Sequence, residues 1–356
     1  MSNSVATKRE LSRSVFICLL VLVTFVSLVF IAVPLNAQTG KAKVVTLRLV
    51  SGWTSPDMGN YGIEKLVNRI NKEAKTVRID FKGGGEVIPV FEAFTHISKG
   101  GMIDLAHTTP AFYAGNLPGA LAEFNMIASA RAMRESGFLE AFDKMHREKG
   151  VTVLSVGMWR GELHALFLNK MITTANLKGL KIRSSGMFEP ILKKLGASTV
   201  TTAPNEIYTA MEKGVVDGFC YPYGAAFVEK SWYEVCKYVV NPQFPYQTSP
   251  ALLANAKKWD ALPQEVRKEV MDVILQLEDE LYEYYKVEGP KSIKKLVDKG
   301  LLKEINLPPR EAQIFVNAST EAMWDDIIRR APDWGPKLKE LGEKATKLQL
   351  QMDRKK

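Results

Sequence analysis

Short apolar strands alternate with amphipathic helices along most of this chain. The stretch VVTLRLVSG (residues 44–52) places alternate apolar residues on one face of a strand, and residues 60–74 continue with apolar residues at helical spacing. The alternation restarts at VTVLSVGMW (151–159). Strands that alternate with helices predict α/β units built on mainly parallel sheets. The restart predicts two α/β lobes, which fits a chain of 356 residues.

The sequence becomes helical after Pro263. One apolar stripe at helical spacing consists of Val270, Val273, Ile274, Leu277 and Leu281. A second helical segment follows Pro308, so a long helical C-terminal segment is expected to close the two lobes. The predicted division of the chain is 1–37 as a signal peptide, 38–160 with about 249–288 as lobe I, 161–248 with about 289–345 as lobe II, and 346–356 as a polar tail.

The N-terminal segment has the pattern of an export signal. Residues 14–33 carry no charge and follow Lys8, Arg9 and Arg13, and a cleavage point is expected after Ala37, with Leu35 and Ala37 at the positions that a signal peptidase inspects. The alternative is an uncleaved membrane anchor, because the apolar run is long enough to span a bilayer. Both interpretations place the rest of the chain outside the cytoplasm, in the periplasm.

Composition and motif spacing exclude several classes of function. The formal net charge is +9, but the basic residues are scattered among acidic ones and do not alternate with aromatic residues as in a nucleic-acid groove. The sequence has no G-x-S-x-G, and its four histidines lack the spacing of a zinc protease. Cys220 and Cys236 are candidates for one disulfide, and the spacing leaves open whether their geometry permits it.

One stretch carries a specific resemblance. The motif Leu-x-Gly-Leu-Lys-Ile-Arg is followed by Leu-Gly-Ala, Glu-x-Tyr-x-Ala and Gly-Val-Val-Asp-Gly, at residues 177–183, 195–197, 206–210 and 214–218. In order and spacing these motifs resemble the solute-binding proteins of TRAP transporters, the DctP-type family. The resemblance covers essentially all of residues 44–345 and implies a two-lobed, periplasmic-binding-protein-like (class II) α/β fold.

The resemblance gives Arg183 a role. In relatives the arginine at this position projects into the cleft and forms a bidentate salt bridge with the carboxylate of the ligand. A guanidinium suits this task because its planar fork matches a carboxylate and stays charged when water is excluded. The alternative is that Arg183 pairs with a neighbouring Glu or Asp of the protein.

The sequence also departs from particular relatives. Relatives that bind sialic acid have a second cleft arginine near the position of Leu163, where this chain offers only Arg160 and Glu162 nearby. Relatives that hold a cation place a carboxylate where this chain has Cys220, so no metal is expected. Tyr221, where other relatives have an asparagine, is expected to contact the ligand through its hydroxyl or its ring.

Further candidates for the ligand site follow the ends of strands, where loops form a cleft. They are Trp53, Phe112, Tyr113, Trp159 and Arg160. For the aromatic residues the alternative is simple packing under a loop. Glu86 is expected to be solvated, and Asp217 is expected to cap local backbone.

The predicted function is capture of a small organic acid, without catalysis or cofactor. The lobes would close on the ligand and deliver it to TRAP membrane subunits driven by an ion gradient, as the family implies. Membrane contact would occur only through that transporter or an uncleaved N-terminal helix. The alternatives are a binding protein of an ABC importer, a sensory ectodomain and an exported hydrolase.

Overall fold

The computed structural model describes residues 44–54, 57–247 and 249–355. The predicted signal peptide lies outside these residues. The strands are β1 Val45–Ser51, β2 Val77–Phe81, β3 Leu105–Thr108, β4 Val151–Ser155, β5 Leu163–Leu168, β6 Lys181–Ser184, β7 Ser198–Thr201, β8 Gly218–Pro222, β9 Tyr238–Asn241, β10 Phe244–Gln247, β11 Ala251–Asn255 and β12 Lys303–Asn306.

The helices share the amphipathic pattern expected for elements that cover a sheet. They are α1 Tyr61–Glu73, α2 Ala93–Lys99, α3 Pro110–Tyr113, α4 Ala130–Ser136, α5 Phe138–Arg147, α6 Glu189–Lys194, α7 Ile207–Glu212, α8 Ala225–Glu229, α9 Ala256–Asp260, α10 Gln264–Asp298, α11 Pro309–Arg330 and α12 Gly335–Asp353. Short 3₁₀ turns occur at Met58–Asn60, Pro118–Glu123, Pro204–Glu206 and Trp232–Glu234.

Each lobe is built on its own sheet. The five-stranded sheet of lobe I has the order β2-β1-β3-β11-β4, and the seven-stranded sheet of lobe II has the order β12-β9-β5-β8-β6-β7 with β10 paired to β5. In lobe I, β1 runs parallel to β2 and β3, whereas β11 is antiparallel to β3 and β4. The predicted two-lobed α/β fold is therefore confirmed, with mixed rather than purely parallel sheets.

Both faces of each sheet are buried. Along β5, Ala165 and Phe167 belong to one hydrophobic cluster, and Leu166 and Leu168 belong to the other. Successive side chains of a strand point to opposite faces, so a nearly continuous apolar strand is typical of a sheet covered by helices on both sides.

Helix α10 corresponds to the first helical segment predicted after Pro263. It runs without interruption through Gly289 and Pro290, where lobe I was expected to end, and it packs on α1 of lobe I and on α8 of lobe II. Its apolar stripe is buried at Val270, Ile274 and Leu277. The helix therefore links the two lobes, together with the segments that join β4 to β5 and β10 to β11.

The last helix also differs from expectation. Residues 346–353, assigned to a polar tail, continue α12 to Asp353. This helix packs on α4 and α5 of lobe I, and the buried Gln349 accepts a hydrogen bond of 2.9 Å from the backbone N–H of Ser129. Apolar and small residues at helical spacing (Leu338, Gly342 and Ala345) provide the buried face.

Candidate ligand-binding site

Arg183 lies near the carboxyl end of β6. Strand β6 is an inner strand, parallel to β7 and β8, with Arg183 paired to Val200 and Phe219. The alternating pattern places Ile182 in a hydrophobic cluster and leaves Lys181 exposed. The Arg183 side chain is buried, with 1% of its surface exposed. Ligands in such folds bind beyond the carboxyl ends of strands, which is where this side chain lies.

The buried guanidinium has few partners. Its Nη2 donates to the backbone carbonyl of Thr202, and its Nε has no hydrogen-bond partner. Among the described residues, no carboxylate oxygen lies within 4.0 Å of it, so the alternative of an ion pair with a neighbouring acid is not observed. Burial lowers the pKa of Arg183 to about 10, which leaves it charged at neutral pH.

Arg183 faces a cavity between the lobes. The cavity has about 440 Å³ of space outside the protein atoms, part of it open to solvent. The lining is Trp53, Thr109, Ala111, Phe112, Phe124, Trp159, His164, Arg183, Ser185, Met187, Phe188, Pro204, Cys220, Tyr221, Pro222 and Pro250.

Aromatic rings form much of the wall. Trp53, which follows β1, lies 5.8 Å from Phe112 and 5.7 Å from Trp159 between ring centroids. Phe188 and Tyr221 contribute from lobe II. Such a wall favours a ligand with a flat or apolar body.

Unpartnered polar atoms occur on several lining side chains. Trp53 Nε1, Tyr221 Oη and His164 Nδ1 are buried and make no hydrogen bond of ordinary geometry with the described residues. Burial raises the pKa of Tyr221 well above its usual value, so the hydroxyl keeps its proton and can donate. Buried polar groups without partners are rare in folded proteins, and a bound ligand is one explanation for them.

Two predicted site residues lie elsewhere. Tyr113 is in the core of lobe I, where its hydroxyl lies 3.0 Å from His146 Nε2 and its ring stacks on Phe94. Arg160 lies in the segment that crosses between the lobes, where it is buried and donates a hydrogen bond to the carbonyl of Ala128. The structure therefore brings together Arg183, Tyr221, Trp159, Trp53 and Phe112 around the cavity, but not Tyr113 or Arg160.

The structure also bears on the expectations for Glu86, Asp217 and the two cysteines. Glu86 is exposed, as predicted, and accepts a hydrogen bond from the backbone N–H of Gly84. Asp217 accepts from the backbone N–H of Lys181, which confirms its capping role. Cys220 and Cys236 are both free thiols, so they do not form the disulfide left open by the sequence.

Cys220 lines the cavity where cation-binding relatives were expected to have a carboxylate. Burial raises the pKa of its thiol well above the usual value, so it remains protonated and is a poor ligand for a hard cation. Within the described part of the chain, no group of three His, Cys, Asp or Glu residues is arranged to hold a metal ion. The expectation of a metal-free site stays a prediction.

Sequence reasoning missed several lining residues. His164 was considered only in excluding a zinc-protease motif, but it is the second residue of β5, which begins at the cavity. Met187 and Phe188 follow the Ser-Ser-Gly turn after Arg183, and that proximity was an available signal. Phe124 comes from a 3₁₀ turn of lobe I that no motif marks.

Sequence comparisons place these features in a family. Residues 99–330 match the DctP family model, described as bacterial extracellular solute-binding protein, family 7. The chain is 22% identical over 236 residues to the monocarboxylate 2-oxoacid-binding periplasmic protein of Nostoc sp. (63% of this chain, 64% of the relative). It is 28% identical over 188 residues to the C4-dicarboxylate-binding periplasmic protein DctP of Rhodobacter capsulatus (52% and 53%). The chain thus matches less than two thirds of the length of these curated relatives.

Solved structures show the same fold. A TRAP transporter solute-binding protein of Bordetella bronchiseptica, with calcium and picolinate bound, superposes with a TM-score of 0.75 at 19% identity, covering 88% of this chain and 94% of that one. DctP7 of Bordetella pertussis, which binds pyroglutamic acid, superposes with a TM-score of 0.72 at 15% identity, covering 84% and 100%. With the family model matching well over half of the sequence, the chain belongs to the DctP family of bacterial extracellular solute-binding proteins.

Proposed function

We propose that this protein is the extracytoplasmic solute receptor of a TRAP transporter and captures a small organic acid between its lobes. The observation that carries the proposal is Arg183, a buried cation with no carboxylate oxygen within 4.0 Å of it in the described residues. A buried charge without a counter-charge is costly. A carboxylate of the ligand would supply that counter-charge.

The binding step follows from the side chains around Arg183. The Nε–H is free, and Nη2 keeps a second N–H beside the one given to the Thr202 carbonyl, so two N–H groups remain to match the two oxygens of a carboxylate. Tyr221 Oη is a further donor at the same cavity. Lobe closure would exclude water and strengthen these interactions.

The lining favours a monocarboxylate with an apolar or flat body. Among the described residues that line the cavity, Arg183 is the one Lys or Arg, and most other lining groups are aromatic or apolar. A second carboxylate would therefore be buried without a cation. The Nostoc relative, named for monocarboxylate 2-oxoacids, agrees with this class.

The proposal includes a place and a partner. The receptor would act in the periplasm after export and deliver its ligand to separate membrane subunits powered by an ion gradient. Within residues 44–54, 57–247 and 249–355, no helix is long and apolar enough to cross a membrane. No catalytic step and no cofactor is proposed.

The test is a thermal-shift and calorimetric screen with pyruvate, picolinate and pyroglutamate, with malonate and neutral sugars as comparisons. A ligand that binds the native state raises the melting temperature. We expect the monocarboxylates to stabilise the protein more than malonate does. Stabilisation by neutral sugars alone would contradict the carboxylate proposal.

The Arg183→Met variant makes the test specific. We expect it to weaken binding of the best acid by at least ~2 kcal/mol, or about 30-fold, because the carboxylate loses its counter-charge. Without ligand, the variant should be more stable than the parent by about 1–4 kcal/mol, because an unpaired buried charge is removed. Arg69→Met removes the same charge from the surface pair with Glu280 and should change neither quantity appreciably. Unaltered binding by Arg183→Met would rule out this assignment.

A further inference from the structure

Glu162 lies in the segment that crosses from lobe I to lobe II, directly before β5. Its side chain is buried, and its Oε2 accepts a hydrogen bond of 2.8 Å from Trp159 Nε1. Trp159 lines the cavity and lies 5.7 Å from Trp53 and 6.3 Å from Tyr285 between ring centroids. Glu162 thus positions Trp159, a residue of the cavity wall, but does not itself line the cavity.

Two glycines shape the space that Glu162 occupies. A Cβ atom at Gly224, which precedes α8, would lie 1.9 Å from Glu162 Oε1. A Cβ atom at Gly289, within α10, would lie 2.7 Å from Glu162 Cγ. The backbone N–H of Ala225 also interacts with the carboxyl group. The side chain therefore contacts the cavity wall, the start of α8 and the long helix that links the lobes.

Burying the Glu162 carboxylate at this position is expected to cost folding free energy. Among the described residues, no Lys, Arg or His nitrogen lies within 4.0 Å of its carboxylate, and Oε1 has no hydrogen-bond partner. The titratable side chains that face it are Tyr284 and Tyr285 of α10 and Tyr221 of β8. An apolar residue of similar volume would avoid burying this charge, so folding stability does not explain a glutamate here.

We propose that Glu162 is a positioning residue that couples Trp159 to lobe closure. This inference rests on the proposed function, because it assigns a role at the same cavity. When the lobes are closed, one carboxyl group holds the indole against the cavity and contacts α8 and α10 at once. Glu162 stays beside the start of α8 when the lobes open, because the Tyr223 N–H donates to the Leu163 carbonyl within the lobe II sheet at 2.6 Å. Opening instead moves Trp53 of lobe I away from Trp159, and the indole is released from Glu162. Loss of Glu162 should therefore let the lobes open more often and let ligand dissociate faster.

Cys220 provides a readout that needs no ligand. Its thiol is buried at the cavity, so alkylation by iodoacetamide requires the lobes to open. The rate is followed on the full-length protein by mass spectrometry of the peptide that contains Cys220. We expect Glu162→Leu to speed alkylation about fivefold, the factor that corresponds to losing one hydrogen bond. Trp159→Phe, which keeps a ring but removes the N–H, should do the same.

A double-mutant cycle separates positioning from general structural damage. If Glu162 acts through the indole N–H, the double variant should open no faster than either single variant. Glu162→Gln keeps an acceptor for the indole and should stay within about threefold of the parent rate. The Trp159 indole ¹H–¹⁵N resonance, assigned from its loss in Trp159→Phe, should shift in Glu162→Leu and stay near the parent position in Glu162→Gln. Multiplicative rates in the double variant, or an unchanged rate in Glu162→Leu, would overturn the proposal.

The ligand arm distinguishes this inference from the proposed function. Pyruvate, picolinate and pyroglutamate are added to the parent protein and to Glu162→Leu. Protection of Cys220 in the parent, with dissociation at least about fivefold faster in Glu162→Leu, supports both proposals. If the variants are alkylated at the expected rates but no acid protects Cys220, the coupling of Glu162 to lobe closure is supported and the proposed class of ligand is contradicted. If an acid protects Cys220 but dissociates equally fast from the parent protein and from Glu162→Leu, the coupling of Glu162 to lobe closure is overturned and the proposed function is not.

Discussion

At the scale of single residues, the site combines groups that folding alone does not favour. Arg183, Tyr221 and Trp53 each bury a polar atom that makes no hydrogen bond of ordinary geometry with the described residues, although the Tyr221 hydroxyl and the Trp53 N–H interact with each other. Leaving such an atom unsatisfied costs about 1–3 kcal/mol. Three side chains of this kind around one cavity are more easily explained by a ligand than by packing.

Tyr221 allows a test in which binding changes and stability changes little. Tyr221→Phe removes the hydroxyl and keeps the ring. We expect the affinity for the best acid to fall by about 1 kcal/mol, or roughly fivefold, because one donor is lost. The free energy of unfolding without ligand should change little, because the hydroxyl makes no hydrogen bond of ordinary geometry and interacts only weakly with the Trp53 N–H. Calorimetric titration and thermal unfolding measure the two quantities. A lower melting temperature with unchanged affinity would assign Tyr221 to packing instead.

The sequence predicted the site in part. Arg183 and Tyr221 were found because they occupy positions in a motif with specific spacing. Tyr113 and Arg160 were selected by their place after strand ends, but that position does not determine which way a side chain points: Tyr113 turns to His146, and Arg160 to Ala128. Phe124 was missed because it comes from a distant turn of lobe I.

At the scale of elements, polar contacts join the lobes beside the cavity. Lys230 Nζ lies 2.5 Å from Asp57 Oδ2, and Glu229 Oε2 accepts a hydrogen bond of 2.8 Å from the backbone N–H of Met58. Asp57 and Met58 precede α1 in lobe I, whereas Glu229 and Lys230 end α8 in lobe II. These contacts stabilise the closed arrangement because they require both elements to be adjacent.

Removing the lysine should loosen this contact. Lys230→Met leaves Asp57, whose side chain is 3% exposed, without its cation. We expect the affinity for ligand to fall by about 1–2 kcal/mol, mainly through faster dissociation, because the pair is partly exposed and contributes less than a fully buried one. Stopped-flow dissociation measures the effect. Lys268→Met breaks an exposed pair within α10 and should leave the rate unchanged. Equal rates in both variants would show that the contact does not hold the lobes.

The elements themselves were largely predictable. Strict alternation and helical spacing identified most strands and helices, since these patterns reflect which faces are buried. The exceptions have physical reasons. The lobe boundary expected at about residue 288 falls inside α10, because this helix packs on both lobes. The polar end of α12 read as a tail because only one narrow face of that helix is buried.

At the scale of the whole molecule, buried titratable groups predict a stability maximum in pH. Burial raises the pKa of Glu123 to about 8 and that of Glu162 to about 7, so each binds more protons in the folded state than in the unfolded state above about pH 4.5. Their contribution to stability therefore falls as pH rises through the range up to these values. Burial lowers the pKa of His107, His146 and His164 to about 3, 4 and 3. Their contribution is lost as pH falls below about 6.5.

These opposite slopes place the maximum near about pH 6.5, where the gain from the histidines, which are then half protonated in the unfolded chain, is balanced by the loss from the two carboxyl groups. Melting temperatures measured between pH 5 and 9 at constant ionic strength check this expectation. Glu162→Gln should flatten the decline above pH 6.5, because it removes one of the two carboxyl groups responsible. A parent curve that rises steadily to pH 9 would contradict the assignment of both buried acids.

The isolated charge of Arg183 also bears on engineering of this protein. A campaign that selects only for thermal resistance would favour apolar replacements at position 183 and discard the capacity to bind an acid. Substitutions that raise the melting temperature of the unliganded protein should consequently cluster around the cavity. Screening variants for a higher melting temperature in the absence of ligand is then a way to locate the binding site in relatives whose ligand is unidentified.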